Sequence, residues 1–245
     1  RTSDKTREFE QQFAKDIGSN HGLAVSSGTA ALRVALAALG VGQGDEVITQ
    51  SFTFVATVEA IIESGATPVC VDIDKTLNMD PEALLTNITD MTKAVIVVHM
   101  LGSPAKIEQI AEICKSRGIA LIEDTAWGCG GSFKGKKLGT WGQVGTFSFD
   151  FAKTMTTGEG GMALTNDAYL SKRMELFRSH GITSAPKDMS QRPKEEIWNY
   201  QQIDLGFNYR MNDIQAALGL SQLKRVDEYV NRRNRLAENY NTKLK

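Results

Sequence analysis

Apolar residues along this 245-residue chain fall into two alternating rhythms. Short runs rich in Val, Ile and Ala recur at residues 22–25, 46–49, 67–73, 94–99, 119–123, 144–149 and 161–165. Between them lie stretches with helical spacing: 29–39, 54–64, a segment opening on Asp80-Pro81, and 107–117. A run that is apolar throughout, such as AVIVVH at 94–99, suits a strand buried on both faces. Its alternation with amphipathic helices predicts βα units and an α/β domain on a largely parallel sheet. Punctuation agrees with the pattern: Gly40, Gly65 and Gly118 follow helical stretches, and Pro81 sits just inside a helix start. The opening segment, 1–18, is polar and helix-like.

Beyond residue 165 the character changes. Residues 168–179 read as a helix with Lys and Arg on its outer side. Residues 181–199 contain Pro186, Pro193 and many polar side chains, which predicts a mobile loop. Two further helices are predicted at 212–222 and 227–240, the second strongly charged. The first carries small residues, Ala216, Ala217 and Gly219, suited to close packing within the chain or at a dimer interface. The abrupt start and an end inside a helical pattern lead us to expect a piece of a longer protein.

Composition narrows the class of function. Hydrophobic residues at 41% and charged residues at 23% are ordinary for a soluble globular domain. A net charge of -1 gives no global attraction to nucleic acid or to an anionic membrane. There is no apolar run long enough for a transmembrane helix and no signal-peptide pattern at the start. Cys70, Cys114 and Cys129 form no metal or disulfide framework, and His21, His99 and His180 are not paired at ligand spacing. A reducing cytoplasm and no metal are the expectations.

Four segments carry candidate chemistry, each with a plainer alternative. In GTFSFDFAKTMTTGEGGMAL (145–164), Lys153 stands between an aromatic run and a turn-rich stretch. A lysine partly removed from water has a depressed pKa and a nucleophilic amine that can form a Schiff base. The alternative is a solvated lysine in a hairpin. Ser26, Ser27, Gly28 and Thr29 lie between a strand and a helix start, where an anion can bind N–H groups and the helix dipole. An ordinary helix cap fits there equally well. Glu123 and Asp124 end a buried strand, at the position where open α/β sheets place ligands. A carboxylate there either holds a ring nitrogen protonated or caps the next loop. Phe52 and Phe54 either stack on a planar ring or fill the core.

Taken together and in order, these segments are what pyridoxal phosphate requires. The chain resembles the DegT/DnrJ/EryC1/StrS sugar aminotransferases of fold type I, on SSGTAAL, GDEVITQSFTFVAT, EDTAWG, SFDFAKTMTTGEGG, RSHG and GFNYRMNDIQAALGLSQL. The resemblance implies a three-layer αβα large domain over 1–245, with a helical tail from about 212 leading toward a small C-terminal domain that this chain lacks. It implies Lys153 as the Schiff-base lysine and proton shuttle, and Asp124 as the acid facing the pyridine nitrogen. Phe54 matches the stacking aromatic, and Gly28, Thr29 and Ser148 match phosphate-binding positions. Asn208 matches a segment reaching the phosphate from a neighbouring subunit, with Arg210 as a companion. A homodimer with shared active sites follows from the same likeness.

Two departures stand out. Trp127 occupies a place where relatives carry His or Gln near the pyridoxal 3′ oxygen, and Asp150-Phe151 replaces their His-Pro. Relatives that dehydrate sugars carry His where Lys153 stands, so transamination is expected here. Glutamate is the expected donor, and a nucleotide-linked 4-keto hexose the expected acceptor. Residues 197–223 are similar to enzymes of the pseudaminic acid route. EDTAWG and SFDFAK are instead similar to relatives that aminate the 8-position of an octulosonate. A dehydratase and a non-catalytic module that keeps the fold for binding are the other readings.

Overall fold

The computed structural model describes residues 3–189 and 199–244. In chain order its strands are β1 (His21–Val25), β2 (Glu46–Gln50), β3 (Thr67–Val71), β4 (Thr92–Val98) and β5 (Ala120–Asp124). A two-residue hairpin, β6 (Ser132–Phe133) and β7 (Lys136–Lys137), precedes β8 (Val144–Ser148) and β9 (Gly161–Thr165). Short β10 (Ile182–Thr183) and β11 (Gln201–Gln202) pair with each other.

Among the described residues the main sheet has seven strands in the order β1-β9-β8-β5-β4-β2-β3. β5 runs parallel to β4 and β8, and β2 parallel to β4 and β3. β9 lies antiparallel between β1 and β8. All other strands of the sheet therefore point one way, and their carboxyl ends share one rim. The period-two and period-3.6 patterns locate the parallel strands. They do not reveal that β9 inserts in reverse between two strands distant in sequence.

The helices are α1 (Asp4–Ile17), α2 (Gly28–Ala38), α3 (Val55–Glu63), α4 (Pro81–Asn87), α5 (Ile107–Arg117), α6 (Ala168–Arg178), α7 (Asp213–Leu223) and α8 (Val226–Lys243). They cover both faces. Ala94 and Ile96 of β4 join one core with α2, α3 and α6, while Val95 and Val97 join another with α4 and α5. Alternate side chains of a strand point to opposite faces, so a strand apolar throughout demands a helix layer on each side. The αβα sandwich follows.

A third core forms where α1 and α7 cover the β1-β9-β8 end of the sheet. Phe9 and Phe13 of α1 meet Phe147 and Phe149 with centroid separations of 5.1–5.4 Å at steep angles, the geometry that favours aromatic pairs. Gly219 of α7 rests on the Phe9 ring; a Cβ there would lie 2.6 Å from it. The small residues of α7 thus pack within the chain: Ala216 and Gly219 are buried, whereas Ala217 is exposed.

Arg178 departs from the expected outer position of the α6 cations. It is buried, ion-paired with Glu10 of α1 and bonded to the Ala24 carbonyl of β1 at 2.9 Å. Of the predicted loop 181–199, residues 190–198, with Pro193, lie outside the described residues. The described part holds β10 and a 3₁₀ turn at Pro186–Asp188.

Candidate active site

The rim of carboxyl ends gathers the residues singled out in the sequence. Asp124 ends β5, Ser148 ends β8, the Ser26–Thr29 junction joins β1 to α2, and Lys153 stands on the turn after β8. That turn is firmly held. The N–H of Phe149 donates to the Gly160 carbonyl at 2.8 Å, and its own carbonyl accepts from the Thr157 N–H at 2.9 Å. Asp150 Oδ1 accepts the Ala152 N–H, and the Asp150 carbonyl accepts that of Lys153, both at 3.0 Å. With the Phe149 ring buried against α1, Lys153 projects from a fixed base.

The Lys153 amine is half-buried, with Nζ 3.6 Å from the centroid of the Trp127 ring. Burial pushes its pKa below the usual lysine range, while the negative charges of Asp124 and Asp150 pull it back up. The net direction is downward, which enlarges the neutral, nucleophilic fraction at neutral pH.

Asp124 is buried. Its Oδ2 accepts the Thr57 hydroxyl at 3.0 Å and its Oδ1 accepts the Ala126 N–H at 3.1 Å. Burial raises its pKa against the opposing pull of these two donors and of the Lys153 charge. Asp124 therefore caps the following loop and is electrostatically coupled to Lys153. A protonated ring nitrogen against it would supply the positive charge that a buried carboxylate needs.

In the Ser26–Thr29 segment the helix-cap reading is observed. Ser27 Oγ accepts the Ala30 N–H at 3.0 Å and caps α2. The N–H groups of Gly28 and Thr29 have no intrachain acceptor among the described residues, which leaves them to an anion. A Cβ on Gly28 would lie 2.8 Å from the Ser148 Cβ, so only glycine lets the start of α2 approach the end of β8. The cradle is made by that close approach.

The aromatics correct the core-packing alternative. Phe54 is 71% exposed and Phe52 43% exposed, both between the carboxyl end of β2 and the start of α3. Their loop is held by Gln50, which sequence reasoning passed over. Its buried amide donates to the carbonyls of Phe52 and Leu77 at 3.0 and 3.2 Å. It accepts from the N–H groups of Met79 and Val98, each at 3.2 Å. Thr57 was missed as well; as an interior threonine of α3 it gives no signal until β5 is placed beside it.

Glu123, the other acid of the pair, turns away from the crevice. Its carboxylate accepts from Gly139, Gly142 and Trp141 N–H groups and from His99 Nε2 at 3.1 Å. His99 Nδ1 accepts the Ala105 N–H at 3.2 Å, which places the ring proton on Nε2. Asn208 is exposed and bridges Ser179 through its backbone, while Arg210 bridges Val25 at the end of β1. Neither bonds to the Lys153 group within this chain.

Lys153 against Trp127, the buried Asp124, the glycine at the start of α2 and the exposed Phe52 and Phe54 all follow the carboxyl ends of strands of one sheet. These residues fit pyridoxal phosphate. The DegT/DnrJ/EryC1/StrS aminotransferase family matches residues 1–245. The chain belongs to that family. GDP-perosamine synthase of Caulobacter vibrioides is 43% identical over 97% of this chain and 61% of its own length. Spr1654 of Streptococcus pneumoniae, solved in a PMP form, superposes with a TM-score of 0.90 at 30% identity, covering 98% of this chain and 65% of that one. It was also solved in a PLP form. Helicobacter pylori PseC, an aminotransferase involved in pseudoaminic acid biosynthesis, gives a TM-score of 0.83 at 34% identity over 92% of this chain and 58% of its own.

Pyridoxal phosphate is the cofactor of this family, and the fold is that of its members. The chain spans about 61% of the length of the curated relatives it matches. Among the described residues no group of three or more His, Cys, Asp or Glu could hold a metal ion. No helix among them is long and apolar enough to cross a membrane.

Proposed function

We propose that residues 1–245 form the cofactor-binding large domain of an aminotransferase that moves an amino group from glutamate to a keto sugar, with a nucleotide-linked 4-keto hexose as acceptor. One observation carries this reading. Asp124 ends β5 and Lys153 stands on the turn after the neighbouring parallel strand β8; the two are electrostatically coupled, and each is moved by burial toward the uncharged form.

When bound, pyridoxal phosphate supplies an electron sink for charge developing at the carbon that carries the amino group. This chain's residues do the rest. Gly28, Thr29 and Ser148 hold the phosphate at the start of α2, Phe54 covers the ring, and Asp124 keeps the ring nitrogen protonated. Trp127 lies beside them. Lys153 gives and takes the proton that moves between donor carbon and cofactor, a role for which a lowered pKa suits it. Asn208, with Arg210, reaches the phosphate of a second copy in a homodimer with shared sites.

The sugar class is supported by relatives whose names refer to GDP-perosamine and pseudoaminic acid. A keto-octulosonate aminated at its 8-position is the second acceptor, favoured by the EDTAWG and SFDFAK segments. The test is a visible spectrum of full-length protein with pyridoxal phosphate, before and after glutamate, followed by a screen of both acceptor classes. The cofactor's visible band should bleach with glutamate and return only with the right keto sugar. Replacing Lys153 by Ala should abolish turnover. A band indifferent to glutamate, or a Lys153→Ala enzyme at near-normal rate, would defeat the proposal. Release of a deoxy sugar without amino-donor consumption would indicate dehydration, and no band at all a binding module.

A further inference from the structure

Trp127 and Lys153 stand on two rigid turns that leave adjacent strands, β5 and β8. Trp127 lies in a turn closed by the Gly128 N–H donating to the Thr125 carbonyl at 3.0 Å. Gly102 presses on this turn from the β4 side: its φ is +84°, and a Cβ on it would lie 2.9 Å from the Trp127 carbonyl oxygen. The Lys153 turn is closed by Asp150 from below, and its carbonyl accepts from Arg233 of α8 at 3.4 Å. Ring and amine therefore meet because two braced loops bring them together. At 3.6 Å from the centroid, Nζ lies against the ring, well inside the range of a cation–π contact.

We infer that the indole face of Trp127 is the seat of the uncombined Lys153 ammonium, and that Trp127 is a positioning residue for that lysine. A lysine that is displaced and reused in each turnover needs a place to wait that keeps it near the crevice and out of bulk water. A carboxylate alone would hold it as a salt bridge. A π face stabilises the ammonium without offering a proton acceptor, so the amine stays available to give or take a proton. The groups facing Lys153 are Asp124 and Asp150, both acidic, so the ring is the neutral member of its surroundings. The inference rests on the proposed role of Lys153, yet the seat itself is measurable without cofactor.

The experiment uses full-length protein freed of cofactor and labelled with ¹³Cε-lysine, with Lys153→Met to assign the resonance. Methylene protons beside Nζ, held over an indole face, should resonate upfield of the other lysines through the ring current. Trp127→Phe, which keeps a π face, should retain part of that shift. Trp127→Leu, which keeps an apolar cover without one, should lose it. The titration midpoint of Lys153 should be lower in Trp127→Leu than in Trp127→Phe, since the ammonium loses its stabilising face. A Lys153 signal among those of the exposed lysines in the unmodified protein would overturn the inference, even if neither variant folds. Equal midpoints in the two variants would overturn it as well. The spectral response to glutamate reports the role of Lys153 separately, so the two readings fail independently.

Discussion

Glu123 and Asp124 are neighbours at the end of β5, both buried, and they serve opposite regions of the molecule. Toward the loop at 139–142, Glu123 meets four donors, three backbone N–H groups and the His99 ring. Toward the crevice, Asp124 meets two, from Thr57 and Ala126, with the Lys153 charge nearby. A carboxylate has about four lone-pair sites. The first acid is saturated and acts as a fastener for the loop. The second has capacity left and burial has raised its pKa, which is the condition of a group awaiting a cationic partner. Burial alone does not separate the two acids; the number of donors each meets does.

The sharpest way to break this contrast is Asp124→Asn. The half-reaction with glutamate should slow by roughly 100-fold or more, as when one preorganised electrostatic partner is removed. The cofactor-free fold should become more stable near neutral pH. The sign follows from the pKa: burial raises Asp124 above the usual carboxylate range, so the folded state carries a cost for ionising it. That cost is absent below the unfolded value and complete above the folded one. The melting-temperature gain of Asp124→Asn should therefore vanish as pH falls through the ordinary carboxylate range. A loss of stability at neutral pH would contradict the assignment.

Glu123→Gln should do the reverse. Its amide would face backbone donors, leaving buried N–H groups unpaired at a cost of about 2–4 kcal/mol. Thermal melting should report that loss, while protein that does fold should still bind pyridoxal phosphate. If cofactor binding fell and stability held, the roles of the two acids would be exchanged.

Gly28→Ala probes the cradle. Its methyl group would press on Ser148, separating α2 from β8 at a cost of roughly 1–3 kcal/mol, the range for overpacking. Phosphate affinity should fall with it, read as a weaker cofactor Kd; an unchanged Kd would place the anion elsewhere. Thr57→Val is the mildest change. It removes one donor from Asp124, worth about 1 kcal/mol, and should raise the pKa of Asp124 further without abolishing turnover. A dead Thr57→Val enzyme would mean that this hydroxyl acts on the substrate directly.

Much of this arrangement was legible beforehand, and for identifiable reasons. Parallel strands buried on both faces leave apolar runs, and α2 announces itself through Ser27 and its Ala/Leu face. Asp124 stands out as an acid ending a buried strand, and Lys153 through the family resemblance of the segments taken together, since alone it reads equally as a solvated lysine. What was hidden depends on partners distant in sequence. Glu123 cannot be distinguished from Asp124 until Gly139–Gly142 folds over it, nor can Arg178 be placed inside until Glu10 of α1 meets it. The reversed β9 is likewise invisible in GMALT, since strand direction is a property of the neighbours and not of the run. Whether Phe52 and Phe54 fill the core or stand free is not written in their own run, because their exposure is set by Gln50 and the Leu77 loop.

The most direct test of the central claim is borohydride reduction of the full-length protein loaded with pyridoxal phosphate, followed by peptide mapping. The reduced pyridoxyl group should be found on Lys153, in the peptide that follows β8, and should be absent when glutamate is added before reduction. A pyridoxyl group fixed on another lysine, with Lys153 unmodified, would contradict the account.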